Sequence, residues 1–563
     1  MSEGTQGQAP ATAARGPAHT SLTPGRARAA LALALAAAIS SATTLAAGPA
    51  RGQSPERANV VVIQTDDQAL DWLYTSQAPP GQPPVQAMPN TLGLIGGEGV
   101  TFSRYYVSDP LCCPSRATLL TGAYAHNHGV LGNGPLGGGY AALDKRENLA
   151  VWLQDAGYRT IHIGKFLNYY GEPPFSDPRE VPPGWSRWET LAGEDSTHYF
   201  YGYRLNVDGT LTERFGDLGY SRKDPAGCPQ DPPEPDGCKY QTDELTRRAV
   251  DQIAESAPGG PFFLSLDYVA PHGDYPLPDG PEPATRHDGS WATVPLPRPP
   301  GFNERDVSDK PRWIRRAPRI GAYLLGRTQT EWQNEIESLR AVDDGVARIV
   351  EALRAGGELD NTYVFFTSDN GFFSGEHRIH RAKYLPYEPS VRVPLLVRGP
   401  GLSPAARSAE LAANVDLAPT ILDIAGAAPV PSVDGRSLMP FARNPELRSR
   451  RPILLEGFTR AVEAATAREG RAHASISAPI RDYQGIRVGP YKYVRYAGGA
   501  KELYDLRDDP HELHSRQSDP RYRDVKRFLA RRLRRLRLCG GEGCRSGLQA
   551  RIPQPLRRRG VRR

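Results

Sequence analysis

Two adjacent cysteines begin the most chemically suggestive segment of the chain, DPLCCPSRATLLTG at residues 109–122. Neighbouring cysteines seldom bridge each other, because a disulfide needs separated Cα atoms and converging Cβ vectors. Pro114 occupies a favoured first helical position, which predicts Cys112 and Cys113 just before a helix N-terminus. Free amides and the helix dipole there favour an anion and would lower the pKa of a thiol. The segment therefore allows a cysteine nucleophile.

Three carboxylates and one amide oxygen stand in two other short motifs, QTDDQ and SDNG, which supply Asp66, Asp67, Asp369 and Asn370. Hard oxygen ligands of this kind suit Ca²⁺ or Mg²⁺ and suit zinc poorly. Each motif alone is also an ordinary turn or N-cap sequence. If the three acids converge, their mutual repulsion requires a cation. A thiolate beside a hard metal is a poor match, which indicates that a cysteine sulfur at such a site does not survive.

Basic side chains add donors to this set: Lys165, His272, His377 and Lys383. Cations beside a metal form a pocket for an anion with several oxygens, such as sulfate or phosphate. Each of these side chains could instead be solvated or ion-paired, and for His377 and His380 the two interpretations stay equally open. Lys165 directly follows an apolar strand, where water should be scarce, so a solvated role fits it less well.

The elements that must position these groups are predicted from hydrophobic patterns. Four apolar segments are typical of buried strands, at 59–64, 160–164, 262–269 and 362–367. Helical patterns alternate with them, and the clearest runs over 337–357 and ends at two glycines. The alternation predicts an α/β fold with a largely parallel, doubly covered sheet. Every strand is followed by charged or polar groups, and ligands of open α/β sheets bind at that edge.

The N-terminus has the basic, apolar, small-residue order of a secretory signal. Arg26 and Arg28 precede an apolar stretch at 29–39, and small residues follow it. The alternatives are a disordered Ala-rich tail or a membrane anchor, for which the apolar stretch is short. An exported chain would also explain two local cysteine pairs, Cys228 with Cys238 and Cys539 with Cys544, which we interpret as disulfides rather than zinc ligands.

Basic residues are concentrated at the C-terminus. Residues 521–563 carry sixteen Arg or Lys against two acids, a net +14 in a chain whose total is +6, so the first 520 residues sum to −8. Within this tail five apolar residues recur at helical spacing: Val525, Phe528, Leu529, Leu533 and Leu536. The pattern predicts a helix docked by its apolar stripe with arginines in solvent. A patch for anionic glycans or surfaces is the alternative interpretation.

The motifs together resemble the sulfatase family. CCPSRATLLTG matches the pattern Cys-x-Pro-Ser-Arg, four residues, Thr-Gly, and it is joined in family order by QTDDQ, GKFLN, APH, TSDNG and KYLPYEPSVRVPLLVRGPG. YKYVRYAGGAKELYDLRDDPHEL is similar to the family's closing segment. In that family the first cysteine of the pattern is oxidised to Cα-formylglycine, whose hydrate attacks the sulfur of a sulfate ester. The pattern selects Cys112 for this modification, with Cys113 as a buried neighbour.

The resemblance implies a role for each matching residue. One Ca²⁺ (with Mg²⁺ the less favoured ion) would be held by Asp66, Asp67, Asp369 and Asn370 together with modified Cys112. Arg116 would hold the hydrate, and Lys165 and Lys383 would bind the sulfate oxygens. His272 would protonate the leaving oxygen, aided by Lys383, and Asp369 could accept the proton of the hydrate.

The implied fold is alkaline-phosphatase-like, a large mixed sheet sandwiched by helices, with a smaller C-terminal α+β subdomain that carries a short antiparallel sheet. The expected organisation is a signal peptide and leader at 1–55, a catalytic domain at 56–445, the small subdomain at 446–520, and a basic helix and tail at 521–563. The expected location is extracellular or periplasmic, with a formylglycine-generating enzyme as partner during maturation. Neither nucleic acid binding nor a transmembrane anchor is expected.

One position departs from the arylsulfatase pattern. Many arylsulfatases have a histidine two residues after the first lysine, and this chain has Leu167 there; His126 and His128 are candidates to replace it. GKFLN, TGAYAHNHGV and VPPGWSRWETL look more like N-acetylglucosamine-6-sulfatases, which implies 6-O-sulfated sugars or aryl sulfates as substrates. The alternatives are a phosphodiesterase or phosphonate hydrolase of the same superfamily, and a non-catalytic protein that binds sulfated glycans.

Overall fold

The computed structural model describes residues 57–77, 84–215, 239–257, 259–273, 280–458, 482–545 and 551–556. The predicted export leader at 1–55 and the predicted Cys228–Cys238 disulfide lie outside the described residues.

The strands of the large sheet and of the small pairs come first in the chain. They are β1 Asn59–Thr65, β2 Ser76–Gln77, β3 Val85–Gln86, β4 Gly99–Phe102, β5 Tyr105–Tyr106, β6 Arg159–Gly164, β7 Arg187–Leu191, β8 Leu205–Val207, β9 Thr210–Leu211, β10 Phe262–Asp267, β11 Thr362–Ser368, β12 Leu395–Arg398, β13 Ala406–Ser408 and β14 Ala412–Ala413. A second sheet follows, with β15 Ile453–Gly457, β16 Tyr483–Val488, β17 Tyr491–Tyr496 and β18 Lys501–Asp505.

The α-helices of the described residues lie between and after these strands. They are α1 Leu70–Leu73, α2 Cys112–Thr121, α3 Ala125–His128, α4 Leu149–Asp155, α5 Gln241–Ser256, α6 Arg312–Arg316, α7 Ala322–Ala355, α8 Glu388–Val391, α9 Leu417–Ala425, α10 Met439–Arg443, α11 Arg523–Leu536 and α12 Glu542–Arg545.

The large sheet has ten strands in the order β13-β4-β12-β11-β1-β10-β6-β7-β8-β9. Its centre, from β11 to β7, is parallel, and β12 and β8 pair antiparallel with the two ends of that centre. The four predicted strands are therefore confirmed as neighbours β11-β1-β10-β6. Because they run parallel, their carboxyl ends meet at one edge of the sheet.

Apolar residues cover both faces of this sheet. In β1, Val60 and Val62 belong to the core shared with α2, α4 and α9, whereas Val61 and Ile63 face the core shared with α5 and α7. The alternation of side chains in a strand sends successive residues to opposite faces. A continuous apolar run is therefore what a strand between two helical layers needs, and the predicted mixed sheet between helices is confirmed.

The long helix α7 extends the predicted helix in the N-terminal direction. It spans 34 residues, about 50 Å at 1.5 Å per residue, and ends at the predicted glycines. Its apolar face from Leu339 to Leu353 is buried as predicted. The first half carries few apolar residues, which is why the hydrophobic pattern revealed only the second half.

The C-terminal part confirms the predicted antiparallel sheet, with β15 to β18 paired in chain order. Helix α11 docks on it by the five predicted apolar residues, all buried. The predicted Cys539–Cys544 disulfide closes the loop after α11, with an S–S distance of 2.02 Å. Among the described helices, none is long and apolar enough to cross a membrane.

Candidate active site

The carboxyl-end edge of the central strands gathers the predicted site residues. Asp66 and Asp67 follow β1, Lys165 follows β6, and Asp369 and Asn370 follow β11. Helix α2 places Cys112 and Arg116 at the same edge. Lys383 reaches it from the loop between β11 and α8. The structure therefore joins groups that lie as far as 317 positions apart in the chain (Asp66 and Lys383).

Three buried carboxylates form the centre of this site. Oxygens of Asp66, Asp67 and Asp369 lie within 4.8 Å of one another, and each side chain is buried. Asp67 has a left-handed backbone with a φ of 69°, which aspartate tolerates better than most residues. Its amide donates to Asp369 Oδ1 at 3.2 Å. This backbone turn is what brings the two acid-bearing loops together.

The carboxylates carry strongly perturbed pKa values. Burial, and then the neighbouring Asp66 charge, raises the pKa of Asp369 to about 7. Burial also raises the pKa of Asp67, against the opposing effect of Lys383. Burial opposes the ionisation of Asp66, but Lys165 and the other cations hold the pKa of Asp66 well below its ordinary value. A further positive charge at this place would favour the ionised forms of Asp67 and Asp369.

The donor set fits a hard cation. The Oδ1 atom of Asn370 is buried and has no hydrogen-bond partner among the described residues, while its Nδ2 donates to Asp67 Oδ1 and to the Gly371 carbonyl. A buried amide oxygen without a donor is costly unless a cation or water takes it. Together with three carboxylates it forms an all-oxygen set that suits Ca²⁺ or Mg²⁺.

Two lysines and one arginine surround the acids. The Lys165 ammonium lies 2.5 Å from Asp66 Oδ2, and the Lys383 ammonium lies 2.5 Å from Asp67 Oδ1. Arg116 donates to Asp369 Oδ2 at 2.9 Å and to Asp66 Oδ2 at 3.2 Å. All three cations are nearly inaccessible to solvent. Their charges are therefore stabilised by the neighbouring carboxylates and not by water.

Cys112 is the first residue of α2 and points into this cluster. Its Sγ lies 2.9 Å from Lys383 Nζ and 3.6 Å from Asp66 Oδ1. Burial, reinforced by the Asp66 charge, raises the pKa of the Cys112 thiol far above its ordinary value. The prediction that the helix N-terminus lowers this pKa is therefore wrong, because desolvation and nearby carboxylates outweigh the helix dipole.

Cys113 faces away from the cluster. The backbone amide of Asn168 donates to Cys113 Sγ at 3.1 Å, and the Cys113 amide donates to Asn133 Oδ1 at 2.9 Å. Burial raises the pKa of the Cys113 thiol to about 12. Cys113 is thus the buried neighbour that was predicted, and the two cysteines have different surroundings.

His272 lies at the rim of the site. Its Nδ1 is 2.9 Å from the Gly273 carbonyl, an acceptor, so Nδ1 carries the hydrogen and Nε2 faces Asp67 Oδ2 at 3.7 Å. Burial and the Lys165 charge lower the pKa of His272 well below its ordinary value. The ring of His198 packs edge-on against it, 5.3 Å between centroids.

One residue of the site was not predicted. Asp267, the last residue of β10, accepts a hydrogen bond from Arg116 Nη1 at 3.0 Å and another from Ser265 Oγ at 2.6 Å. Burial raises the pKa of Asp267 to about 6. Arg116 is therefore held by three carboxylates and by the Lys165 carbonyl at 2.8 Å. The only signal in the sequence is an acid at the end of an apolar strand.

The four other histidines considered from the sequence have partners elsewhere. His377 Nδ1 pairs with Glu304 Oε2 at 2.6 Å, and His380 Nε2 donates to the Leu324 carbonyl. His126 pairs with Glu456, and His128 bonds Thr118 and the Val130 amide. None of these histidines bonds a residue of the carboxylate cluster. Leu167 lies in the apolar core, and neither His126 nor His128 bonds a residue of the cluster in its place.

Comparison with known families agrees with this geometry. The Sulfatase family model matches residues 58–427, and the model described as N-sulphoglucosamine sulphohydrolase, C-terminal, matches residues 375–538. The first match contains the carboxylates, both cysteines and both lysines of the cluster.

Relatives of similar length carry sulfatase names. N-acetylglucosamine-6-sulfatase of Capra hircus is 32% identical over 530 residues, covering 89% of this chain and 86% of that protein. The Homo sapiens protein of the same name is 34% identical over 413 residues, covering 71% of this chain and 67% of its own length. Two longer relatives are the putative extracellular sulfatase Sulf-1 homolog of Caenorhabditis elegans and the extracellular sulfatase SULF-1 homolog of Drosophila melanogaster. The chain spans 48% of the length of the first and 35% of the length of the second.

Solved structures share the fold at low identity. A protein in complex with its substrate D-glucosamine-2-N,6-O-disulfate superposes with a TM-score of 0.66 at 22% identity, covering 87% of this chain and 98% of that chain. The phosphonate monoester hydrolase of Agrobacterium radiobacter superposes with a TM-score of 0.61 at 24% identity, covering 85% and 95%. On the family match and on relatives above 30% identity, the chain belongs to the sulfatase family of sulfuric ester hydrolases.

Proposed function

We propose that this chain is an exported sulfatase that acts on 6-O-sulfated N-acetylglucosamine-type sugars or aryl sulfates through a formylglycine made from Cys112. The observation that carries the proposal is the position of the Cys112 side chain, between Asp66 and Lys383 inside the carboxylate cluster. Relatives named N-acetylglucosamine-6-sulfatase support the substrate class.

The cation of the proposed enzyme is Ca²⁺, held by Asp66, Asp67, Asp369 and Asn370 with the side chain at position 112. When bound, such a cation polarises the sulfate oxygens and the nucleophile. The converging carboxylates and the unpartnered Asn370 oxygen support this assignment. Formylglycine at position 112 would supply, as its hydrate, a hydroxyl able to attack sulfur, and Asp369 would accept the proton of that hydroxyl.

The residues of the chain then have distinct tasks. Lys383, which lies 2.9 Å from the position 112 side chain, and Lys165 bind the sulfate oxygens. Arg116 keeps the Asp66 and Asp369 carboxylates in place through its three carboxylate contacts. The bond of His272 Nδ1 to the Gly273 carbonyl fixes the ring with Nε2 toward the site. Because the neutral ring carries its hydrogen on Nδ1, Nε2 takes up a proton when the anionic substrate binds and then passes it to the alcohol oxygen, aided by Lys383, as the bond of that oxygen to sulfur breaks.

Export, maturation and domain boundaries belong to the same proposal. The signal-like leader at 1–55 would direct the chain out of the cytoplasm, and a formylglycine-generating enzyme would modify Cys112 before the site closes over it. Complete burial of Cys112 supports modification before folding. We place the catalytic domain at 56–445 and the small subdomain at 446–520.

A phosphonate or phosphate diester hydrolase is the second candidate. The fold similarity to phosphonate monoester hydrolases of Agrobacterium radiobacter and Silicibacter pomeroyi favours it, since a pocket of cations around a metal site accepts any tetrahedral monoanion. Turnover of 4-nitrophenyl sulfate against an aryl phosphate diester at equal enzyme concentration distinguishes the two activities.

The test begins with a mass spectrum of the peptide DPLCCPSR from chain made in a host that forms formylglycine. An aldehyde or hydrate at position 112, with an intact thiol at 113, is the expected result. Aryl sulfate turnover should follow the modified fraction and be absent in Cys112→Ala. Two intact thiols in active enzyme, or turnover by Cys112→Ala, would overturn the proposal.

A further inference from the structure

Helix α11 presents a band of arginines to solvent. Its fourteen residues include seven Arg or Lys and one acid, Asp524. Five of the arginines are exposed: Arg523, Arg527, Arg531, Arg534 and Arg535. At 100° and 1.5 Å per residue, these five lie within an arc of about 120° and along about 18 Å of the helix. We call these five residues the arginine band.

The charges of the arginine band are not balanced by neighbouring acids. Asp524 is 3.7 Å from Arg523 and 3.9 Å from Arg527, with all three side chains more than half exposed, so water screens both contacts. In the described part of the chain, Arg531 and Arg535 have no ion pair with a carboxylate. They also stand four residues apart, where like charges repel. A partner that brings several negative charges would relieve this repulsion.

The arginine band is held rigidly on the protein. The opposite face of α11 is buried in the C-terminal core, and the disulfide-closed loop after it is bonded to the region of α3. The Cys539 carbonyl accepts from Asn127 Nδ2 at 2.9 Å and lies 3.0 Å from His126 Nε2, and the Gly541 amide donates to Asp434. Because the backbone that carries the arginines is already fixed, binding there costs less conformational freedom than binding to a flexible tail.

We propose that the arginine band is a second binding site, for a sulfated polysaccharide chain. The choice of this ligand class rests on the proposed function, whereas binding itself does not. Every member is arginine, whose planar guanidinium binds sulfate oxygens in pairs. A membrane surface fits less well, since an interfacial helix needs its apolar face free, and the apolar face of α11 is buried with residues between 0% and 8% exposed.

The second site lies apart from the reacting centre. Cys112 begins α2, and the loop after α11 is bonded to α3, which follows the far end of α2. Helix α2 has ten residues and is about 15 Å long. A single sugar or an aryl sulfate therefore reaches only the active site, whereas a polymer can occupy both sites. The arginine band should lower KM for polymeric substrates and leave small substrates unaffected.

The experiment compares the full chain with the triple variant R527Q/R531Q/R535Q. The matched control is R146Q/R354Q/R443Q, which removes the same charge at exposed positions of other elements. Binding of fluorescent heparin is measured by anisotropy between 50 and about 300 mM salt, with N- and O-desulfated heparin, phosphatidylserine vesicles and single-stranded DNA as other probes. Each polyanion contact is expected to contribute slightly less than one unit to the slope of log K against log salt.

The expected result is heparin binding that weakens at least tenfold in the triple variant, with a slope lower by about two to three, and that stays unchanged in the control. Turnover of 4-nitrophenyl sulfate should be equal in all three proteins. Equal loss in the control, or unchanged binding in the triple variant, would overturn the site. Equal affinity for desulfated heparin, vesicles or DNA would overturn its ligand class. Absence of turnover with intact heparin binding would overturn only the proposed function.

Discussion

Replacement of Asp267 by asparagine tests whether this acid positions Arg116 for the reaction. The change keeps the size of the side chain and the Oδ1 acceptor 3.0 Å from Arg116 Nη1, but removes the charge. The new amide nitrogen takes the place of Oδ2, where the Ser265 hydroxyl at 2.6 Å can turn and accept from it. The fold should therefore tolerate Asp267→Asn.

The magnitude follows from the type of hydrogen bond that is weakened. A hydrogen bond that involves a charged group contributes about 1.5–3 kcal/mol; because Arg116 stays charged, loss of the Asp267 charge removes only part of that contribution, about 1–2 kcal/mol. Arg116 also holds Asp66 and Asp369, so a displaced guanidinium moves two proposed metal ligands. If the loss appears in the transition state, kcat falls by about 5- to 30-fold, since 1.36 kcal/mol is tenfold in rate.

The assay measures kcat and KM on 4-nitrophenyl sulfate with saturating Ca²⁺, normalised to the formylglycine fraction from mass spectrometry. Asp343→Asn is the control. Asp343 is another buried acid, and its four hydrogen bonds go to the backbone and side chains of Asn90 and Thr91. The control should lower Tm and leave kcat unchanged, whereas Asp267→Asn should lower kcat with a small change in Tm. A kcat within twofold of the parent would refute the positioning role of Asp267.

Three shorter predictions concern the cysteines, the cation and two histidines. Cys112→Ser abolishes aryl sulfate turnover in a host that modifies only cysteine, whereas Cys113→Ser retains turnover with a lower Tm; the reverse pattern would exclude Cys112 as nucleophile. Chelation with EDTA lowers both turnover and Tm because it exposes the carboxylates to mutual repulsion, and added Ca²⁺ restores both; an unchanged Tm would exclude a resident cation. Burial opposes protonation of His126, but Glu456 raises its pKa, so this pair stabilises the fold at low pH and the gain is lost as pH rises through the raised pKa. Burial lowers the pKa of His128 to about 3, so the neutral ring stabilises the fold above its unfolded pKa of about 6.5, and that gain is lost as pH falls toward 3. The Tm penalty of His126→Gln should therefore be largest near pH 5 and that of His128→Gln near pH 8, and equal penalties at both values would contradict the two shifts.

The sequence predicts the elements that are marked by a local run of apolar residues or by an apolar repeat. Strands β1, β6, β10 and β11 are found within two residues of their predicted limits, since uninterrupted apolar runs have few other structures open to them. The residues that follow them are at the site because parallel strands must deliver their carboxyl ends together. The first half of α7 was not predicted, because its buried face includes polar side chains such as Glu331, Gln333 and Glu335 and so has no apolar repeat.

Features that depend on contacts between distant segments were not predictable. Asp267 belongs to the site only because it pairs with Arg116, which lies 151 positions earlier in the chain. The sequence around either residue does not indicate this pairing. His377 pairs with Glu304, and His126 pairs with Glu456, which is 330 positions away. The local sequence around a histidine therefore did not show whether it belongs to the active site or to a structural ion pair. The Cys112 pKa was predicted in the wrong direction for the same reason, since the helix end is visible in the sequence and the burial is not.

The charges of the site indicate which group suits position 112. Four buried acids, Asp66, Asp67, Asp267 and Asp369, face three buried cations, Arg116, Lys165 and Lys383. With all four acids ionised, one negative charge is left. A divalent cation changes this to one positive charge, which matches the single negative charge of a sulfate ester or a phosphonate monoester. A thiolate at Cys112 would cancel that charge, and burial raises the pKa of the Cys112 thiol even before this balance is considered. A neutral hydroxyl at position 112 would leave the balance intact, so the electrostatics that disfavour a cysteine thiolate favour the formylglycine that we propose there.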